Sequence, residues 1–307
     1  MLKGANNKFF TSFVVKTLES FIYFAKYRLV QNNDPTDIYY ISKIGRKKHM
    51  EYETIELKIK SGVATVTLNR PKVHNALSEK MMKELTDCFK KLEKDDSKII
   101  IITGNGKSFC AGADLNWMKG MANYSKKENI EDSKLLLNLY EAIYNSSKPT
   151  IAKVNGHAFG GGLGFFAACD IAISVKDCKF GFSEVKLGII PSVISTYIVR
   201  RIGLANMKRL FVTGERFNSD YAKEIGLVDF CVEEKEVDSL IEKYIKILDS
   251  SGPNAIKEVK KLVNNCEEMN REEYKKHTVE KISELRISEE GQEGINAFLE
   301  KRKPKWS

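Results

Sequence analysis

The chain has 307 residues, 42% of them hydrophobic and 30% charged, a balance that fits one large folded core and excludes a disordered polymer. The formal net charge is +9, but residues 1–49 carry nine Lys/Arg against Glu19, Asp34 and Asp37, so the rest of the chain is close to balance and a nucleic-acid partner is disfavoured. Six cysteines without a CxxC pair and four widely spaced histidines imply a reducing compartment and no metal site.

Residues 1–49 read as an appended segment. Phe9 to Val30 is apolar and aromatic but is broken by Lys16, Glu19, Lys26 and Arg28, so it cannot span a bilayer. Its scarcity of acids resembles a mitochondrial transit peptide; the equal alternative is an upstream start, with translation beginning at Met50. The expected location is the cytoplasm, or the mitochondrial matrix if the segment is a leader.

From there the chain punctuates clearly. Glu53 to Lys60 and Val63 to Asn69 flank Ser61-Gly62 as a β-hairpin that Arg70-Pro71 ends. Ser78 is a plausible N-cap for an amphipathic helix through Leu92, with Met81, Met82, Leu85, Phe89 and Leu92 on its inner face. Ile99 to Thr103 reads as a buried strand, Gly104 to Gly112 as a loop, and about 127–146 as a helix. Thr150 to Val154 is a strand, Asn155-Gly156 a turn, 161–168 a helix and 170–174 a strand. Alternating β and α units with short connections predict an α/β fold with a mostly parallel sheet and helices outside it. After the turn residues Asn218-Ser219-Asp220, Val237 to Leu248, Ala255 to Cys266, Arg271 to Leu285 and Glu289 to Lys301 all have helical period. Four successive helices exceed what a covered sheet can accept, so the region is expected to pack partly on another subunit. The organisation is then an extension over 1–49, a core over 50–250 and a helical region over 251–307.

Two glycine-rich turns stand out within the core. Ala111-Gly-Ala-Asp-Leu115 and Gly160-Gly-Gly162 each follow an apolar run and precede a helical pattern, and neither fits a Rossmann or P-loop spacing. Each turn could aim backbone N–H groups at a small anion, and two converging on one point would make an oxyanion hole.

Five ordered segments carry a resemblance: Asn69-Arg70-Pro71 with Asn75-Ala76-Leu77, Phe109-Cys-Ala-Gly-Ala-Asp114, Asn155-Gly156 with Gly160-Gly161-Gly162, Cys169-Asp170-Ile171, and Phe180 to Pro191. Together they resemble the enoyl-CoA hydratase/isomerase, or crotonase, superfamily over about residues 50–307. The resemblance implies a crotonase-like spiral of ββα repeats with a C-terminal helical trimerisation region, a trimer or dimer of trimers, and an acyl-CoA thioester as ligand. Coenzyme A would be part of the substrate, with no separate cofactor.

By the same resemblance, the oxyanion donors are the N–H groups of Ala113 and Gly161. Ala111, Asp114 and Leu115 would lie against the adenine end, Lys72 near the phosphates, and Phe298 and Lys301 would reach in from a neighbouring subunit. Glu184 takes the place of a catalytic glutamate, inside an apolar stretch where burial would raise its pKa.

Two positions depart from the family pattern. Gly164 stands where hydratases commonly carry their first glutamate, and Ser192 where many carry glycine. These departures, with Asp114-Leu-Asn-Trp-Met118 and the Glu184 to Ser195 segment, look like the bacterial 3-methylglutaconyl-CoA hydratase group. The implied reaction is addition of water across the double bond of that enoyl-CoA. A single glutamate also fits a Δ3-Δ2-enoyl-CoA isomerase, and loss of an acid also fits a non-catalytic acyl-CoA or RNA binding member. A distal substrate carboxylate would call for a basic or hydroxyl partner, for which Ser192, Ser195, Arg200 and Lys119 are candidates.

Overall fold

The computed structural model describes residues 52–306, so the readings placed on residues 1–49 lie outside the described residues. The hairpin forms as β1 (Ile55–Lys60) and β2 (Val63–Leu68), paired antiparallel through Ser61 and Gly62, both at positive φ. Helix α1 (Glu79–Leu92) follows, its first turn capped by the Ser78 side chain, which accepts from the Met81 N–H; Met81, Met82, Leu85, Phe89 and Leu92 are all buried.

Three ββα turns then build the spiral. Strands β3 (Ile99–Gly104) and β4 (Ser108–Cys110) lead to helices α2 (Leu115–Met121) and α3 (Lys126–Tyr144). Strands β5 (Thr150–Val154) and β6 (His157–Phe159) lead to α4 (Gly162–Ala168). Strands β7 (Ile171–Val175) and β8 (Lys179–Gly181) lead to α5 (Ser192–Thr213), which is broken at Gly203. In each turn the first strand joins a six-stranded sheet ordered β1-β2-β3-β5-β7-β10, with β10 at Phe230–Val232, and the second joins a four-stranded sheet ordered β4-β6-β8-β9, with β9 at Arg216–Asn218. Strand β9 (Arg216–Asn218), helix α6 (Ser219–Glu224) and strand β10 (Phe230–Val232) close the two sheets.

The larger sheet is parallel apart from β1, and both its faces are covered. That explains the unbroken apolar run at 99–102: Ile100 and Ile102 face the main core, while Ile99 and Ile101 pack with Ile151, Ile173, Val237 and Ile241 beneath α7 (Glu234–Asp249). The smaller sheet's strands are three residues each and fall below the length at which periodicity is readable, so β4 lies in a stretch read as loop and β6 just after the turn at Asn155-Gly156.

Helices α8 (Pro253–Glu268), α9 (Arg271–Ile287) and α10 (Glu289–Leu299) complete the described chain. Helices α8 and α9 contain no buried residue and α10 buries only Ala297. Val263, Val279, Ile287 and Phe298 remain exposed, Phe298 at 82% of its full accessible surface. No helix among the described residues is long and apolar enough to cross a membrane.

Candidate active site

The two glycine-rich turns meet in one cleft of about 420 Å³, lined among others by Ala111, Ala113, Gly160, Gly161 and Glu184. The first turn leaves β4 and runs beside residues 74–77. Ala111 N–H donates to the His74 carbonyl at 2.9 Å, Leu77 N–H to Gly112 at 2.7 Å, and Asp114 N–H to Leu77 at 2.8 Å. This alternation passes over the Ala113 N–H, which has no protein acceptor among the described residues. Asn75 locks the loop from behind: it is buried, its Oδ1 accepts from the Arg70 N–H at 2.8 Å, and its Nδ2 donates to the carbonyls of Asn105 and Ser108, each at 2.9 Å.

The second turn follows β6. Gly160 N–H donates to the Gly181 carbonyl at 2.9 Å, and the Tyr140 phenol donates to the Gly161 carbonyl. The Gly161 N–H, like that of Ala113, has no protein acceptor among the described residues. Ala113 is exposed and Gly161 half-buried, and two unpaired N–H groups on one cleft mark a place for an acceptor supplied by a ligand.

Glu184 opens a 3₁₀ turn (Glu184–Leu187) after β8. Its Oε2 is buried with no hydrogen-bond partner, and burial pushes its carboxyl above the usual carboxylate range. Gly160 makes the room: at φ 50° it takes a left-handed conformation, and a Cβ there would stand 2.9 Å from Glu184 Oε1.

Position 164 is closed to any side chain. A Cβ on Gly164 would stand 2.6 Å from Tyr140 Cζ and 2.6 Å from Ile194 Cγ2. Tyr140 cannot yield readily, being fully buried and packed edge-on against Phe165 at 5.7 Å while its phenol holds the Gly161 turn. Gly164→Ala should therefore destabilise the fold by about 1–3 kcal/mol, the usual cost of overpacking, read as a lowered urea midpoint at unchanged m. A variant as stable as the wild type would show that the ring moves freely.

Of the expected ligand residues, Ala111 and Leu115 line the cleft, Leu115 at its exposed edge. Asp114 does not. Its buried carboxylate pairs with Arg70 at 2.8 Å and caps α2 by accepting from the Asn116 N–H at 2.8 Å. Burial opposes its charge, but Arg70 and that N–H outweigh burial and hold it below the usual range. Lys72 is exposed on the 3₁₀ turn Pro71–Val73, away from the cleft lining. Phe298 and Lys301, expected to serve a neighbouring copy, likewise do not line this chain's own cleft.

Among the four candidates for a distal carboxylate, Ser192 alone lines the cleft. Ser195 Oγ donates to the Ser192 carbonyl, Arg200 pairs with Glu267 at 3.0 Å, and Lys119 is exposed on α2 outside the lining. The sequence reading missed Asp132, on α3, which lines the cleft beside Trp117 and accepts from its Nε1–H at 2.8 Å. Lying in Glu131-Asp-Ser-Lys134, it looks like part of a solvated helix face, and no periodic signal separates it from its neighbours.

Larger hollows of about 590 and 650 Å³ lie beside α8. Lys260 there pairs with Asp170 at 2.7 Å and Arg200 with Glu267 at 3.0 Å, and Glu184 remains the carboxylate whose buried oxygen lacks a partner among the described residues.

A spiral of ββα turns with two unpaired N–H groups and a buried carboxyl on one cleft defines an enzyme site for an acceptor-bearing ligand. A family model described as "Enoyl-CoA hydratase/isomerase" matches residues 58–307, and the chain belongs to that family. It is 35% identical over 258 residues to the short-chain-enoyl-CoA hydratase of Clostridium acetobutylicum, covering 83% of this chain and 97% of that one. It is 34% identical over 257 residues to the crotonyl-CoA hydratase of Syntrophomonas wolfei, covering 83% and 98%. A crystal structure of an enoyl-CoA hydratase from Shewanella pealeana superposes with a TM-score of 0.81 at 37% identity, covering 84% and 97%. A putative enoyl-CoA hydratase/isomerase (crotonase) from Legionella pneumophila gives 0.78 at 41%, covering 84% and 100%. The chain is an enzyme of the enoyl-CoA hydratase type, a hydro-lyase.

Proposed function

We propose that the chain adds water across the α,β double bond of 3-methylglutaconyl-CoA, with Glu184 as the only proton carrier at the reacting carbons. The observation that carries the hydration reading is the buried, unpartnered Glu184 Oε2 on the same cleft as the free N–H groups of Ala113 and Gly161. The two N–H groups hold the thioester oxygen and draw electron density from the double bond. Water attacks the β carbon and gives a proton to Glu184, which delivers one to the α carbon, so the carboxylate is restored at the end of each turnover.

The choice of acyl group rests on the segments around Asp114 and Glu184 and on the closed position 164, which leaves one glutamate to do work that two commonly share. That closure equally suits an isomerase moving a proton between carbons, the second reading. Incubation with crotonyl-CoA, 3-methylglutaconyl-CoA and a 3-enoyl-CoA, followed by enoyl absorbance, separates them. Hydration of the first two with preference for the second is the expected result; turnover of the 3-enoyl-CoA alone would replace hydration by isomerisation.

We further propose that the uncovered apolar faces of α8–α10 pack on other copies of the chain, as a trimer or dimer of trimers. The exposure of Val263, Val279, Ile287 and Phe298 supports this. Sedimentation equilibrium at the mass of one chain would exclude it.

A further inference from the structure

Tyr140, on α3, is a buried titratable group that the proposed chemistry does not use. It is fully buried and does not line the cleft, so it cannot touch a ligand there. Its ring stands edge-on to Phe165 at 5.7 Å and tilted against Tyr197 at 5.8 Å. On a third side the bare backbone of Gly164 passes so close that a Cβ there would stand 2.6 Å from Cζ. The phenol is thereby held where it is, against the Gly161 carbonyl to which it donates.

That carbonyl already accepts from the Gly164 N–H at 2.9 Å, in the first turn of α4. Two donors on one oxygen hold the Gly161–Gly162 peptide plane more firmly than the helix alone does. The neighbouring plane is held as well, since the Gly160 carbonyl accepts from the Leu163 N–H at 3.0 Å. Three consecutive glycines offer no side chains by which packing could fix their peptides, so the shape of this turn rests on bonds to its backbone. The Gly161 N–H and C=O belong to planes joined at a single Cα, and clamping the carbonyl limits how far the N–H can swing.

We infer that Tyr140 is a positioning residue for the reaction: by holding the Gly161 carbonyl, its phenol keeps the Gly161 N–H aimed at the thioester oxygen without touching the substrate. This rests on the oxyanion reading above and names what preorganises one of its two donors. Gly164 is then the clearance that the clamping ring requires. Burial pushes the phenol's pKa well up, with the charges of Cys110 and Glu184 adding to the rise, so the group stays an O–H donor through neutral and mildly alkaline pH.

Tyr140→Phe removes the hydroxyl and keeps the ring that packs on Gly164 and Phe165, so it should remain folded by circular dichroism. Its kcat for crotonyl-CoA hydration should fall about tenfold with KM within about twofold, the worth of one well-placed hydrogen bond in the transition state. The pH midpoint of kcat should stay where it is, because the base is untouched. In a Gly161→Pro background, which has no N–H left to aim, the same substitution should cost less than about twofold. A spectroscopic readout is independent of the proline variant. Bound to Glu184→Gln, which lacks the proton carrier, 2,4-hexadienoyl-CoA should absorb further to the red than when bound to Glu184→Gln/Tyr140→Phe, because an aimed N–H polarises the conjugated carbonyl.

Wild-type kcat in Tyr140→Phe would overturn the inference and leave the phenol a packing bond. Equal losses in the wild-type and Gly161→Pro backgrounds would overturn it too, as would a shifted pH midpoint with unchanged dienoyl absorbance, which would tie Tyr140 to Glu184 instead of the turn. If Gly161→Pro is as active as Gly161→Ala, the oxyanion reading falls and takes the inference with it. A large loss in Gly161→Pro beside an unaffected Tyr140→Phe leaves that reading standing and removes the inference alone.

Discussion

Glu184→Gln is expected to lower kcat by about 10³-fold while leaving the affinity for a non-reacting acyl-CoA within about threefold. Glutamine keeps the shape that Gly160 accommodates and removes the group that carries protons. The wild-type rate should rise with pH through the elevated Glu184 pKa and then level off, because the base must be ionised to accept the proton of water. Stability provides an independent check. A carboxyl whose folded pKa is raised binds more protons folded than unfolded between its two pKa values, so wild-type stability falls as pH rises through that window. The glutamine variant escapes the fall. It should melt above the wild type at pH 8, with the difference shrinking as pH drops below the ordinary glutamate range. Such a gain on losing the proposed proton carrier is what its unpartnered buried oxygen entails. A variant that retains wild-type kcat would remove Glu184 from the chemistry, and equal melting at both pH values would contradict its burial as a charge.

Much of this arrangement is legible in the sequence because the informative elements are long or strongly punctuated. Helix α1 has its Ser78 cap and a full apolar stripe, and β3 and β5 are apolar runs ended by turn residues. The second sheet is not legible. Its strands of three residues are held by backbone pairing to neighbours distant in the chain, a tertiary cause that leaves no local period. The site divides in the same way. Glu184 and the glycine turns show through motif spacing, whereas the closure of position 164 depends on Tyr140, 24 residues earlier, filling the space that a side chain would need. Gly164 thus reads in the sequence as an acid gone missing. In the structure it is a close-packed contact whose partner also holds the Gly161 turn in place.

That double duty of Tyr140 sharpens the second large effect, at Gly161. Proline there should lower kcat by about 10²–10³-fold, the typical cost of one oxyanion donor, because its nitrogen carries no hydrogen. Gly161 has φ −52°, within the proline range, and its N–H makes no protein bond among the described residues whose loss would unfold the turn. Sterics must be separated from chemistry, since a Cβ at 161 would stand 3.0 Å from Leu77 Cδ1 and 3.2 Å from the Tyr140 hydroxyl. Gly161→Ala adds the same Cβ and keeps the N–H, so it reports the crowding of that Cβ. The expected result is a modest loss for alanine and a further loss of about two orders of magnitude for proline, with both variants folded by circular dichroism. The effect should fall on kcat more than on KM, because the donor serves an oxygen whose charge grows in the transition state. Equal activity in the two variants would place the second donor elsewhere. The N–H of Ala113 would then act without Gly161, and the convergence of the two turns on one oxygen would lose its chemical meaning.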